Sequence, residues 1–248
     1  MAQLITGGTK GIGFAIAKRL SKKGEDTFLV YHSDDEAAHA AKVTLEKTGT
    51  KVHLVKADVG TIEGAQAIYA EVTKVGAQLT GIVHAAAMIY PTNLLDTDLV
   101  KFTRAMETNG LSLLYLVHQL HPAMDRGTSI IFISSMGARI PSPFYGALGV
   151  SKALAESVLR YLVAELAPEG IRINAVAPGL VETSSVANMV GSEEAAQRVF
   201  EKSAKTNPSG RISKDSDYAS LVEYLMGPEA EFIQGQVIAA TGGVGIIG

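Results

Sequence analysis

Short apolar runs alternate along this chain with longer stretches of helical period. Leu4, Ile5 and Thr6 lead into a glycine-rich turn, after which Phe14, Ile16, Ala17 and Leu20 recur at helical spacing until Gly24. Residues 27–31 predict a second strand, and Asp34 opens a helix to about Thr48, where Gly49 stops it. A third strand is predicted over 52–56 with a helix over 61–75, and a fourth over 79–84, followed by small residues 85–87 and a long helical segment over 98–121. Residues 129–134 are apolar without alternation, as a parallel strand covered on both faces should be. A helix then runs from Pro143, with Ser142 as its candidate cap, to Leu166. Strands over 171–176 and 236–239 follow.

Strands alternating with helices imply right-handed crossovers. The expected architecture is an α/β doubly wound Rossmann fold: a seven-stranded parallel sheet with helices on both faces, in a single domain over 1–248. The rhythm fails between Pro178 and about Asp215, apart from a short helical candidate over 193–202. Apolar Val186, Met189 and Phe200 there predict a substrate-covering lid over 178–214. The helices over 108–120 and 143–163 are apolar nearly all round, so faces turned from the sheet are expected to meet another subunit, with internal burial as the alternative.

With 248 residues, 47% hydrophobic and 19% charged, the chain supports one sizeable core. A formal net charge of -3 without any Lys/Arg block argues against a nucleic-acid partner. The absence of cysteine excludes a disulfide, a thiolate nucleophile and Cys-ligated zinc. No signal-peptide succession opens the chain and no apolar run reaches membrane-spanning length, so a cytoplasmic protein with no membrane partner is expected.

The glycine turn is the first candidate for chemistry. Gly7, Thr9, Lys10, Gly11, Ile12 and Gly13 lie between a first strand and a first helix, where backbone N–H groups and the helix dipole favour an anion. The spacing is Gly-x-x-x-Gly-x-Gly, and ahead of a regular βα series it points to a dinucleotide. Where an NAD site carries a carboxylate at the end of the second strand, this chain has Tyr31, followed by His32 and Ser33. Lys10 adds a cation where a 2'-phosphate would lie, so NADPH is the expected cofactor. Asp34 and Asp35 just beyond could be solvated helix-start acids or could bind ribose. Asp58 fits adenine recognition or an ordinary helix approach.

Tyr145 precedes Lys152 by seven positions, which at about 100° each returns the helix to nearly the same face, roughly 10 Å further along. Alone, the pair also fits a helix-start aromatic and a surface lysine.

Taken together, residues 6–13, Asp58-Val59, Asn109, Ser134-Ser135, Lys152 and Pro178-Gly179 through Thr183 resemble the short-chain dehydrogenase/reductase superfamily over essentially the whole chain. Most of that superfamily has its tyrosine four positions before the lysine, where this chain has Leu148. Tyr145 with six residues before Lys152 resembles instead its divergent enoyl-acyl carrier protein reductases, the enoyl-acyl carrier protein reductase III type above all.

The resemblance implies NADPH-dependent reduction of a trans-2-enoyl thioester borne on acyl carrier protein, in fatty acid biosynthesis, by a homotetramer or homodimer. It implies that Tyr145 hydrogen-bonds the thioester oxygen and stabilises the enolate. Lys152 is implied to hold the nicotinamide ribose and, as a nearby cation, to lower the phenol's pKa. Asn109 and Ser135 match positions active in ketoreductases, and either supporting or buried structural roles fit them. Ala85 and Ala86 would line the cofactor site, and Pro178, Gly179, Val181 and Thr183 match the segment that binds the carboxamide.

A physical reason accompanies the displaced phenol. Hydride reaches C3 in both reactions, but an enoyl thioester gathers its negative charge on the C1 oxygen, and the donor must follow the charge. Three residues of helix shift the anchor by about 4.5 Å. The alternatives are a 3-ketoacyl or other carbonyl reductase using Tyr145, or an inactive dinucleotide-binding regulator. His84 is read as a satisfied strand-end histidine without a catalytic role.

Overall fold

The computed structural model describes residues 2–22 and 24–245. The chain begins β1 (Ala2–Thr6), α1 (Gly11–Leu20), β2 (Asp26–Tyr31), α2 (Asp35–Glu46), β3 (Lys51–Lys56), α3 (Ile62–Val75) and β4 (Leu79–His84). A long connection leads to α4 (Leu99–Met106), a π-helical turn (Glu107–Leu111), α5 (Ser112–Leu120) and β5 (Met124–Ile133). Then come α6 (Gly146–Leu166), β6 (Arg172–Pro178), α7 (Ser184–Val190), α8 (Glu193–Thr206), α9 (Asp215–Met226) and β7 (Val237–Ala240).

All strand pairs are parallel, in the order β3-β2-β1-β4-β5-β6-β7. The order reverses between β1 and β4, and the crevice at the carboxyl ends of those strands is where such sheets bind ligands. Successive strand residues point to opposite faces, so Leu4, Phe28, Ile82 and Ile130 join one core with α3, α5 and α6. Their neighbours Ile5, Leu29, Val83 and Ile131 join the other core with α1, α2 and α9. Both faces being covered explains why the central strands lack alternation. No helix among the described residues is long and apolar enough to cross a membrane.

Three local readings are corrected. First, α6 begins at Gly146, not Pro143, and Tyr145 is its N-cap. Phe144 adopts a left-handed backbone (φ 59°), and Thr92 takes the backbone groups on either side of Tyr145, accepting from Gly146 N and donating to Phe144 O. Ser142 therefore closes a turn, its carbonyl accepting from Tyr145 N, and does not cap the helix.

Second, the segment 178–214 contains two helices, α7 and α8, packed on a small core of Ala187, Ala196 and Phe200. Third, α9 follows where no helix was expected. Carbonyls at its end and just beyond it are gathered by the buried Arg172 guanidinium, whose Nη1 donates to Leu225 O at 2.6 Å and Ala230 O at 3.1 Å.

Candidate active site

The cradle at β1 is shaped by missing side chains. Gly7 turns through φ 62°, and a Cβ on Gly13 would overlap Gly7's carbonyl oxygen, so the turn closes onto the first turn of α1 only as glycine. Lys10 is the N-cap of α1 but makes no side-chain cap bond, so the first N–H groups of the helix face the hollow without a side-chain partner from their cap. A Cβ on Gly7 would sit 2.9 Å from Ala86 Cα, and one on Gly11 would sit 3.4 Å from Thr183 Cγ2. The predicted residues after β1, β4 and β6 thus meet at one place. Backbone N–H groups around a glycine hollow at a helix start fit a dinucleotide pyrophosphate.

Beyond β2, both carboxylates are already engaged. Asp34 caps α2 by accepting from Ala37 N at 2.9 Å and pairs with Lys10 at 2.5 Å. Lys10 holds its carboxyl below the usual range. Asp35 accepts from Lys56 and from the Tyr31 hydroxyl, both at 2.8 Å. His32 and Ser33 remain exposed beside them.

Asp58 sits where adenine recognition was expected, but its carboxylate pairs with Arg104 and accepts from Gly60 N at 3.0 Å. Arg104 also donates to Gly60 O and pairs with Glu107, so this corner is a closed ionic cluster that sequence reasoning missed. Nothing in the helical period marked Arg104 apart from other surface cations. Val59 is buried in the core.

The opposite end of the crevice is built on the end of β5. Gly137 N donates to Ser135 Oγ at 3.1 Å, and the Tyr145 hydroxyl lies 3.1 Å from the same oxygen. The phenol ring crosses Gly137 so closely that a Cβ there would overlap it, and Gly149 Cα faces it from α6. Burial pushes the phenol's pKa up, opposed by the Ser135 bond.

The expectation that Lys152 lowers this pKa is corrected. The ammonium points instead into the end of β5, donating to Ile133 O at 2.7 Å and lying 4.4 Å from the centroid of Phe132. Burial brings Lys152 down to about 7, with Glu156 opposing. Leu148, four positions before the lysine, is an apolar buried residue.

Asn109 lies fully buried within the π-helical turn. Its Oδ1 accepts from Met88 N at 2.6 Å and its Nδ2 donates to Met88 O at 2.9 Å. Each amide atom makes one of its two possible bonds here, which anchors the chain after β4 and leaves one acceptor site and one N–H for the supporting role.

His84 is likewise structural. Ser112 donates its hydroxyl to Thr108 O, so it accepts from His84 Nε2, leaving Nδ1 to accept from Thr6 at 2.6 Å. Burial, with the nearby Lys152 charge, lowers this ring to about 3 and keeps it neutral. Of the last predicted group, Gly179 N donates to Ala240 O, Val181 bridges Ser213, and Thr183 is the N-cap of α7 without a side-chain cap bond.

A phosphate cradle at the switch point and a phenol with a buried lysine across the same crevice define a nicotinamide-dinucleotide oxidoreductase. The chain belongs to the short-chain dehydrogenase/reductase superfamily, with residues 7–245 matching the family model described as "Enoyl-(Acyl carrier protein) reductase".

It is 31% identical over 246 residues to the 1-cyclohexenylcarbonyl-CoA reductase of Streptomyces collinus, covering 98% of this chain and 86% of that one. An enoyl-[acyl-carrier-protein] reductase (NADH) from Aquifex aeolicus superposes with TM-score 0.87 at 27% identity, over 100% and 97% of the two chains. A short chain dehydrogenase from Burkholderia cenocepacia in complex with NADP gives 0.86 at 26%, over 97% and 96%.

Proposed function

We propose that the protein is an NADPH-dependent enoyl-thioester reductase acting on trans-2-enoyl groups borne on acyl carrier protein or coenzyme A, in the cytoplasm and in acyl-chain synthesis. The observation that carries this is the placing of the phenol: Tyr145, with six residues between it and Lys152, holds the hydroxyl position beside Ser135 while position 148 is apolar. The Streptomyces collinus relative supports it, since its named substrate is a thioester with a double bond next to the carbonyl.

When bound, the reduced nicotinamide supplies hydride to C3. The chain's task is to stabilise the charge that then gathers on the C1 oxygen. Burial keeps the Tyr145 phenol protonated near neutral pH, so it donates to that oxygen rather than acting as a base. Ser135 accepts from Gly137 N, which aims its own O–H toward Tyr145 or the same oxygen. C2 takes its proton from Tyr145 or water. Lys152, anchored on Ile133 O, serves the nicotinamide ribose hydroxyls.

NADPH is supported by the pairing of Asp34 with Lys10 and of Asp35 with Lys56, and by exposed His32 and Ser33. The 178–214 segment would cover the acyl chain. Two or four copies would associate through α5 and α6, whose outer faces carry exposed Leu114, Val150 and Tyr161.

One observation favours a second reading: paired hydroxyls 3.1 Å apart also suit a ketone oxygen, as a carbonyl reductase needs. Matched crotonyl and acetoacetyl thioesters decide between them. NADPH oxidation at least about tenfold faster with the crotonyl thioester, a difference of ~1.4 kcal/mol, supports the enoyl reading. The reverse order makes the protein a carbonyl reductase, and tight NADPH binding with turnover of neither makes it a dinucleotide-binding regulator.

A further inference from the structure

Three consecutive residues at the end of β5 each hold one group of α6 or its cap. Ile133 accepts from Lys152 Nζ through its carbonyl, Ser134 donates its hydroxyl to Glu156 Oε1 at 2.6 Å, and Ser135 meets the Tyr145 hydroxyl. The first and third serve the reacting groups already described. The second holds a carboxylate to which no role has yet been given.

Glu156 lies one helical turn beyond Lys152, with its side chain only 6% exposed. A carboxylate that deep is retained only when paired and hydrogen-bonded. Its other oxygen accepts from Arg139 Nε at 3.4 Å, and Arg139 belongs to the exposed chain just past the turn that floors the Tyr145 ring.

We propose that Glu156 is a positioning residue that keeps Lys152 a cation at the end of β5, and that Arg139 tunes it by sharing its charge. A buried ammonium with one carbonyl acceptor and an aromatic face is short of countercharge, and desolvation favours its neutral form. Glu156, one turn further along the same buried face and held by the residue after Ile133, is the carboxylate placed to oppose that loss.

The other charged groups on the elements packed against α6 are committed elsewhere or turned outward. His84 from β4 is neutral. Arg104 and Glu107 pair with each other and with Asp58, Arg172 is held by carbonyls after α9, and Glu169 pairs with His121. Arg160 and Glu165 on α6 itself are exposed, as are Lys101 on α4, His118 on α5 and Asp125 and Arg126 on β5. The inference rests on Lys152 serving the dinucleotide and is independent of whether the substrate is an enoyl or a keto thioester.

The test is a titration of the Lys152 side chain by NMR in the dinucleotide-free protein, its resonance assigned by loss in Lys152→Arg, together with NADPH affinity against pH. An ammonium serving the dinucleotide binds it below the lysine's pKa and loses it as pH rises through that value. The wild-type midpoint is expected near the about 7 set by burial and Glu156.

Glu156→Gln, nearly isosteric and still able to accept from Ser134, should lower the midpoint by about one unit or more. For a one-unit drop, its NADPH affinity should then fall roughly eightfold at pH 7.5 and only about twofold at pH 6. Arg139→Met, which leaves the carboxylate wholly to Lys152, should move the midpoint upward, and Glu156→Asp should stay near wild type.

Opposite shifts in Glu156→Gln and Arg139→Met are what a merely structural role would not produce. Shifts of the same sign, or no shift in either, overturn the proposal. Should Glu156→Gln fail to fold, Arg139→Met decides alone: a raised midpoint supports the proposal, and an unchanged or lowered one overturns it. Failure with both crotonyl and acetoacetyl thioesters would leave these readings intact and remove only the substrate assignment.

Discussion

Position 148 is where this chain departs from its superfamily, and the structure shows what replaces the missing phenol. Leu148 joins the buried face of α6, while the ring of Tyr145 crosses bare backbone at Gly137 to reach Ser135. Gly137 is therefore as necessary as the tyrosine. Gly137→Ala places a methyl group within the ring's volume, and turnover should fall at least about 100-fold, the scale of losing one oxyanion donor. NADPH affinity, measured by fluorescence, should stay within about twofold; wild-type turnover would refute the assigned ring position. Tyr145 and Lys152 could be singled out because their spacing lies within one helix and the family resemblance gave it meaning, whereas Ser135 came from the resemblance alone. Glu156 and Arg104 were not, because a buried charge looks like any surface charge until β5 and α6, or β3 and α4, are packed together.

Among the elements, helical period ran correctly through 98–121 but concealed the π-helical turn within it. That turn carries Asn109 inward to clamp Met88, which ties down the first part of the connection between β4 and α4. Asn109→Ala would strand a backbone N–H and a carbonyl, at a cost of about 1–3 kcal/mol for each left without a partner. Urea denaturation should show that loss, and proteolysis should cut faster within 88–98; unchanged stability would contradict the clamp. The start of α6 was misread for a similar reason. Ser142 and Pro143 suit a helix start locally, yet Thr92, some fifty positions earlier, binds the backbone on both sides of Tyr145. Between 178 and 214 the period was faint because α7 and α8 bury little beyond Ala187, Ala196 and Phe200.

For the molecule as a whole, the βα rhythm up to β6 was enough to predict a seven-stranded parallel sheet, although it failed between Pro178 and about Asp215. The strand order puts the glycine turn of β1 beside the end of β4, with β5 next in the sheet. Tyr161, with Leu114 and Val150, is one of the exposed apolar side chains on α5 and α6 through which association is proposed. Light scattering should report a dimer or tetramer for wild type and a smaller species for Tyr161→Asp; a wild-type monomer would remove the association reading. The central claim concerns one hydroxyl, and the most direct test is single-turnover reduction of a crotonyl thioester by Tyr145→Phe with NADPH bound. A rate at least about 100-fold below wild type, with unchanged NADPH affinity, is the predicted result. Equal rates for the two proteins would contradict it.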